Sequence, residues 1–129
     1  MKILGIGTDI VNNSRIENLL KKKNMNFLNK VFSNNEINLS KKRKNSILTL
    51  SKRFAAKEAF IKALGTGLRK GINFKDIEIV NDNQGKPSIN LKGQTKDIVK
   101  KIVKKKNFKI FLSVSDDYPW SVANVIITY

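Results

Sequence analysis

The 129-residue chain contains no cysteine and no histidine. Without thiols there is no disulfide, no thiolate zinc site and no cysteine nucleophile. Without imidazole there is neither a histidine general base nor a histidine metal ligand. Any bound metal must therefore be held by oxygen, which favours magnesium, calcium or manganese. Acidic residues are scarce too, 10 against 26 lysines and arginines, for a formal charge of +16. Such an excess calls for acidic partners or nucleic acid. Arginine supplies only four of those 26 cations, whereas a sequence-specific reader of nucleic acid carries more arginine and exposed aromatic rings. A small basic nucleic-acid-binding protein stands as the alternative reading. No apolar run is long enough to span a bilayer. Gly5, Gly7 and Asp9 interrupt the first residues too early for a signal peptide. The expectation is one cytoplasmic domain over residues 1–129, large enough for a real core, with no membrane partner.

Residues Lys2 to Val11 read as a buried strand. Its alternation places Gly5, Gly7 and Asp9 on one face and Leu4, Ile6, Thr8 and Ile10 on the other. Two glycines beside an aspartate leave bare backbone, open either to a ligand or to a closely packed helix. Ser14-Arg15-Ile16-Glu17 has the form of a capping box opening a short helix. The run Lys21, Lys22 and Lys23 follows, as a solvated face or a docking surface for an acidic helix. Ser33-Asn34-Asn35-Glu36 is a second capping box. From Asn45 to a Gly65 cap the pattern predicts a long helix. Downstream, Leu68 to Asn73 reads as a loop, Phe74 to Val80 and Ser88 to Leu91 as a hairpin, and Thr95 to Lys106 as an amphipathic helix. Phe108 to Val114 and Ser121 to Thr128 are the last strands, and Pro119 belongs in their turn. The predicted class is α+β, an antiparallel sheet packed against a long central helix and shorter helices.

On the long helix Ile47, Leu50, Phe54 and Ile61 fall within one stripe roughly 60° wide. Glu58 lies about 40° from Phe54, at the edge of that stripe. A carboxylate so placed must be paired or metal-bound, because burying it bare is costly. One reading is an ordinary helix pair with Lys62, one turn on. Arg53 and Lys57 are like charges one turn apart, which is easier to understand with an anion nearby. Asp9, Glu58 and Asp116, with Lys57, Lys62 and the Gly65-Thr66-Gly67 bend, are a set that can hold magnesium and a polyphosphate. That bend follows a helix C-terminus, whose dipole repels anions, so it is no P-loop, and the lysines and the metal must supply the attraction.

Gly5-Ile6-Gly7-Thr8-Asp9-Ile10-Val11 and the run from Arg53 to Gly67, RFAAKEAFIKALGTG, closely resemble the holo-[acyl-carrier-protein] synthases, the short trimeric bacterial type of the 4′-phosphopantetheinyl transferase family. Gly85-Lys86-Pro87, Leu112-Ser113-Val114-Ser115 and Ala123-Asn124-Val125-Ile126-Ile127 extend the resemblance along the chain in order. It implies that family's fold and Mg2+-dependent transfer of 4′-phosphopantetheine from coenzyme A to a serine of an acidic apo-acyl carrier protein. The by-product would be adenosine 3′,5′-bisphosphate and the setting fatty acid biosynthesis. It further implies Asp9 and Glu58 as metal ligands, with Glu58 also the candidate base, and Lys62 as the residue stabilising charge on the transferring phosphate or leaving group. Arg53, Gly65, Thr66 and Gly67 would contact coenzyme A, and Arg15 the carrier protein. Many family members have histidine where this chain has Asp116, at a position that reaches the bound nucleotide. An aspartate there repels phosphate unless it faces the metal or pairs with a neighbouring cation. The family's homotrimer, with active sites between subunits, is the implied assembly.

Overall fold

Strand β1 (Ile3–Asn12) runs directly into helix α1 (Asn13–Val31). In this computed structural model residues 1–69 and 71–129 are described, apart from the side chains of Lys23 and Asn24. Lys70, in the expected loop, and the Lys23 side chain of the lysine run thus lie outside the described residues. The first helix is not short: it spans 19 residues. Ile16, Leu20, Phe27 and Val31 recur at spacings of four and seven, so one apolar stripe continues through the lysine run. Its cap is also not Ser14. The Asn12 side chain accepts from the Ser14 backbone N–H at 3.0 Å, because the strand hands over two residues earlier and leaves Ser14 inside the first turn.

Helix α2 (Asn34–Lys42) begins with the expected reciprocal box. The Ser33 N–H donates to Glu36 Oε1 at 2.9 Å and the Glu36 N–H to Ser33 Oγ at 3.2 Å. Helix α3 (Ser46–Leu64) is capped by the Asn45 side chain and stopped by Gly65, at φ 74°. A 3-10 turn (Phe74–Asp76) replaces the start of the expected next strand. The hairpin of β2 (Ile77–Asn81) and β3 (Pro87–Leu91), helix α4 (Gly93–Val103), and strands β4 (Lys109–Asp117) and β5 (Trp120–Thr128) complete the chain. The last two strands reach closer to Pro119 than the sequence predicts, so Asp116 lies in the ladder opposite Ser121 instead of at the tip.

The strands form two antiparallel sheets, β1-β5-β4 and β2-β3. Helix α3 crosses the inner face of the three-stranded sheet, at Gly5 and Gly7. A Cβ at Gly5 would overlap the Ala63 carbonyl, and one at Gly7 the Ala59 carbonyl. The bare glycine face thus belongs to the helix and not to a ligand, and the alanines opposite let the backbones close up. Phe32, Phe60 and Ile16, each 0% exposed, anchor the surrounding core, each worth roughly 1.5–3 kcal/mol of burial. From Leu50 to Leu64 every residue of α3 is buried except Lys52, Glu58 and Lys62.

The outer face of the three-stranded sheet is left uncovered by the described residues and carries large apolar side chains on either side of the exposed Thr8–Asn124 hydrogen bond. Ile6 and Ile10 are 62% and 58% exposed, with Phe111, Trp120 and Ile126 beside them on the neighbouring strands.

Candidate active site

Two clusters lie on opposite flanks of α3. Glu58 stands five residues after Arg53, a rotation of roughly 140°, and that rotation separates them.

On the first flank Asp9, near the end of β1, meets Lys62. The Lys62 Nζ donates to Asp9 Oδ1 at 3.1 Å and to the Thr8 carbonyl at 3.0 Å. Lys62 therefore bridges from helix to strand instead of pairing with Glu58. Burial and the negative charge of Asp9 push the Glu58 carboxyl above its ordinary range, while Arg15 and Lys62 oppose them. Arg15, on α1, also lies over the Phe54 ring, 5.4 Å from its centroid. Asp9, Glu58, Lys62 and Arg15 are thus brought together, two carboxylates faced by two cations. Gly65-Thr66-Gly67 follows one turn beyond Lys62 as an open bend. Both glycines have positive φ, 74° and 66°, with open space where a Cβ would stand, and Thr66 Oγ1 donates to the Gly67 carbonyl.

Among the described residues no three or more carboxylates cluster as a metal cage. A pair is the donor set that suits a cation keeping its waters and taking further oxygens from a phosphate. Burial and, after it, the repulsion from Asp9 raise Glu58, and such an ion would offset both. Asp9 and Glu58 fit magnesium on those grounds.

The second flank holds a cleft of about 200 Å³ lined by Arg43, Lys52, Arg53, Asn81, Pro87 and Val114, among others. Arg53 donates to Asn81 Oδ1 at 2.7 Å; burial lowers its affinity for a proton, Glu36 raises it and Arg43 lowers it. Asp116 pairs with Lys52 at 3.6 Å, so this aspartate meets a cation and not the Asp9–Glu58 pair. Within one chain, then, neither Arg53 nor Asp116 joins Glu58.

The anion beside Arg53 and Lys57 is internal. Glu36 Oε1 accepts from Lys57 Nζ at 2.7 Å, and Oε2 lies 3.9 Å from Arg53 Nε. The capping-box glutamate thus serves twice. The like-charge pair signalled a missing anion, but only the packing of α2 on α3 supplies it. Arg43, Lys52 and Asn81 were not foreseen as site residues, because they come from three separate elements and carry no local motif.

The chain matches the sequence profile of the 4′-phosphopantetheinyl transferase superfamily over residues 5–123, and it belongs to that superfamily. Within it, the chain falls among the holo-[acyl-carrier-protein] synthases. It is 56% identical over 127 residues to the holo-[acyl-carrier-protein] synthase of Pelagibacter ubique, covering 98% of each. It is 44% identical to that of Zymomonas mobilis, over 97% of this chain and 96% of the relative. The crystal structure of the synthase from Neisseria meningitidis superposes with a TM-score of 0.90 at 34% identity, covering 99% of this chain and 100% of that one. The Bacillus anthracis synthase, in complex with CoA (3′,5′-ADP), gives 0.77 at 35% identity over 97% and 96%.

Proposed function

We propose that residues 1–129 act as one cytoplasmic transferase domain, moving 4′-phosphopantetheine from coenzyme A to a serine hydroxyl of an acidic apo-acyl carrier protein. The observation that carries this reading is the Asp9–Glu58 pair with Lys62 beside it. The serine oxygen attacks the phosphorus that bears pantetheine, the bond to the bridging pyrophosphate oxygen breaks, and adenosine 3′,5′-bisphosphate leaves. Such a reaction needs alignment and charge neutralisation more than a protein nucleophile, so the absence of cysteine and histidine is no obstacle. Magnesium, held by Asp9 and Glu58, would supply charge stabilisation for the pyrophosphate. Glu58, directly or through a metal-bound water, is the candidate acceptor of the serine proton. Lys62 is within reach of the same place and offers its ammonium to the developing negative charge. Arg15 faces this cluster from α1 and is the proposed contact for the carrier, whose acidic surface the chain's +16 charge would attract. The product serves fatty acid biosynthesis.

Two observations support a homotrimer with shared sites. The uncovered apolar sheet face is a surface that a second copy would bury. The two clusters flank α3 on opposite sides, so a ligand touching both needs one from each of two chains. Asp9, Glu58, Lys62 and the Gly65-Thr66-Gly67 bend would come from one subunit. The Arg53 cleft would come from its neighbour, with Lys52 and Asp116 at its rim, for the nucleotide end of coenzyme A.

The test is incubation with apo-acyl carrier protein, coenzyme A and magnesium, followed by mass spectrometry of the carrier. A gain of one phosphopantetheine is expected. A carrier of unchanged mass would sink the transferase reading, and retention on nucleic acid without any transfer would favour the basic nucleic-acid-binding alternative.

A further inference from the structure

Lys57 has no part in the chemistry just described, and no ligand can touch it. It is 0% exposed, and its Nζ donates to Glu36 Oε1 and to the Phe74 carbonyl, both at 2.7 Å. A buried ammonium costs several kcal/mol unless paired, and the pairing here has a specific consequence. Glu36 is 1% exposed. Its Oε1 accepts from the Ser33 N–H and Lys57, and its Oε2 accepts from the Ile79 N–H at 3.2 Å. Arg53 Nε lies 3.9 Å from that second oxygen, too far for a hydrogen bond, and this buried N–H has no other partner among the described residues. The far end of Arg53 reaches Asn81 and lines the cleft. Glu78, whose charge also reaches Lys57, is paired with Lys92 at 3.1 Å, so Glu36, Lys57 and Arg53 together keep one positive charge in excess, and of the two cations Arg53 is the one that faces the cleft.

We propose that Lys57 is the positioning residue of this cleft: by neutralising Glu36 it keeps Arg53 from collapsing onto that carboxylate, leaving the guanidinium for a phosphate group of the ligand. Without the Lys57 charge, Arg53 is the nearest cation to Glu36, and closing the 3.9 Å gap would turn the cleft's cation into an internal ion pair. The inference rests on reading the cleft as part of the coenzyme A site.

The experiment is a mutant cycle on the full-length protein, with folding checked by circular dichroism. Lys57→Met should raise KM for coenzyme A about tenfold, the worth of one charge-assisted hydrogen bond. Neither kcat nor KM for the carrier protein should change much. Lys57→Gln, which keeps a donor for Glu36 and Phe74 but not the charge, should act the same way and is the variant to use if methionine prevents folding. Adding Glu36→Gln should restore KM, because an uncharged amide at that position no longer competes for Arg53. A purely structural role predicts the opposite order, with the double variant no better than Lys57→Met. That order, or an unchanged KM in both Lys57 variants, would overturn the proposal. Arg53→Met should raise KM alone and add nothing to Lys57→Met; if it left KM unchanged, the cleft assignment would fall and this proposal with it. Calorimetric binding of adenosine 3′,5′-bisphosphate should follow the same order without turnover. That order of binding across the variants, with no transfer by the wild-type protein, would sink only the transferase reading.

Discussion

Glu58, the proposed metal ligand and base, meets burial, a second carboxylate and two cations on one side chain. Glu58→Gln should lower turnover by roughly 10²–10⁴-fold, the usual worth of a positioned acid or base, measured as carrier modified per unit time. The same change should stabilise the metal-free protein. Because folding raises the Glu58 carboxyl above its ordinary range, ionising it in the folded state costs stability. That cost is absent in acid, where the group is protonated folded or unfolded, and complete once the pH exceeds the raised value. Glu58→Gln should therefore melt above wild type near neutral pH, with the gap closing as the pH falls. An equal gap at all pH values would show that the stabilisation does not come from ionisation of Glu58. Magnesium provides the complementary measurement. Chelation should abolish transfer and added magnesium restore it, and magnesium should raise the melting temperature of wild type more than that of Glu58→Gln, increasingly so as Glu58 ionises.

Helix α3 and strand β1 are held at a distance that only glycine permits. Gly7→Ala would drive a methyl group into the Ala59 carbonyl. Backbone cannot yield as a flexible side chain does, so a cost of about 2–4 kcal/mol is expected, read as a lower midpoint in urea. Activity should fall as well, since Asp9 lies two residues further along the same strand and Lys62 on the helix that would be displaced. Retained activity at reduced stability would show that the strand–helix spacing does not set the site. The helix boundaries here were legible from local chemistry: Asn45 and the Ser33–Glu36 box act through their side chains and Gly65 through its left-handed backbone, each where the sequence predicts. The start of α1 was not, because Asn12 and Ser14 are both competent caps and only the exit of β1 decides between them.

The uncovered sheet face makes the assembly testable. Ile10 and Ile126 lie on adjacent strands of that face. A carboxylate introduced by Ile10→Asp would be costly to bury in an interface. Sedimentation should show trimers for the wild-type chain and smaller species for the variant, with loss of transfer despite intact Asp9, Glu58 and Lys62. A monomeric variant with full activity would overturn the shared-site arrangement. The net charge makes a separate prediction for docking. Raising the ionic strength from about 0.05 to 0.5 M shortens the reach of electrostatic attraction. It should lower kcat/KM for the carrier far more than kcat.

The sequence by itself determined the α+β class, the long central helix with its caps, the exclusion of thiol and imidazole chemistry, and the restriction of any metal donor to oxygen. These follow from side-chain chemistry and from periodicities that act over one or two turns. Tertiary structure alone decided that the glycine face of β1 belongs to a helix, that Lys62 bridges to Asp9 and not to Glu58, and that Glu36 is the anion beside Arg53 and Lys57. It also placed Asp116 against Lys52, and the cationic cleft on the flank of α3 away from Glu58. Each of those pairings joins residues from different elements. A charge far along the chain leaves no periodic trace, so its partner is chosen only when packing brings the two together out of water.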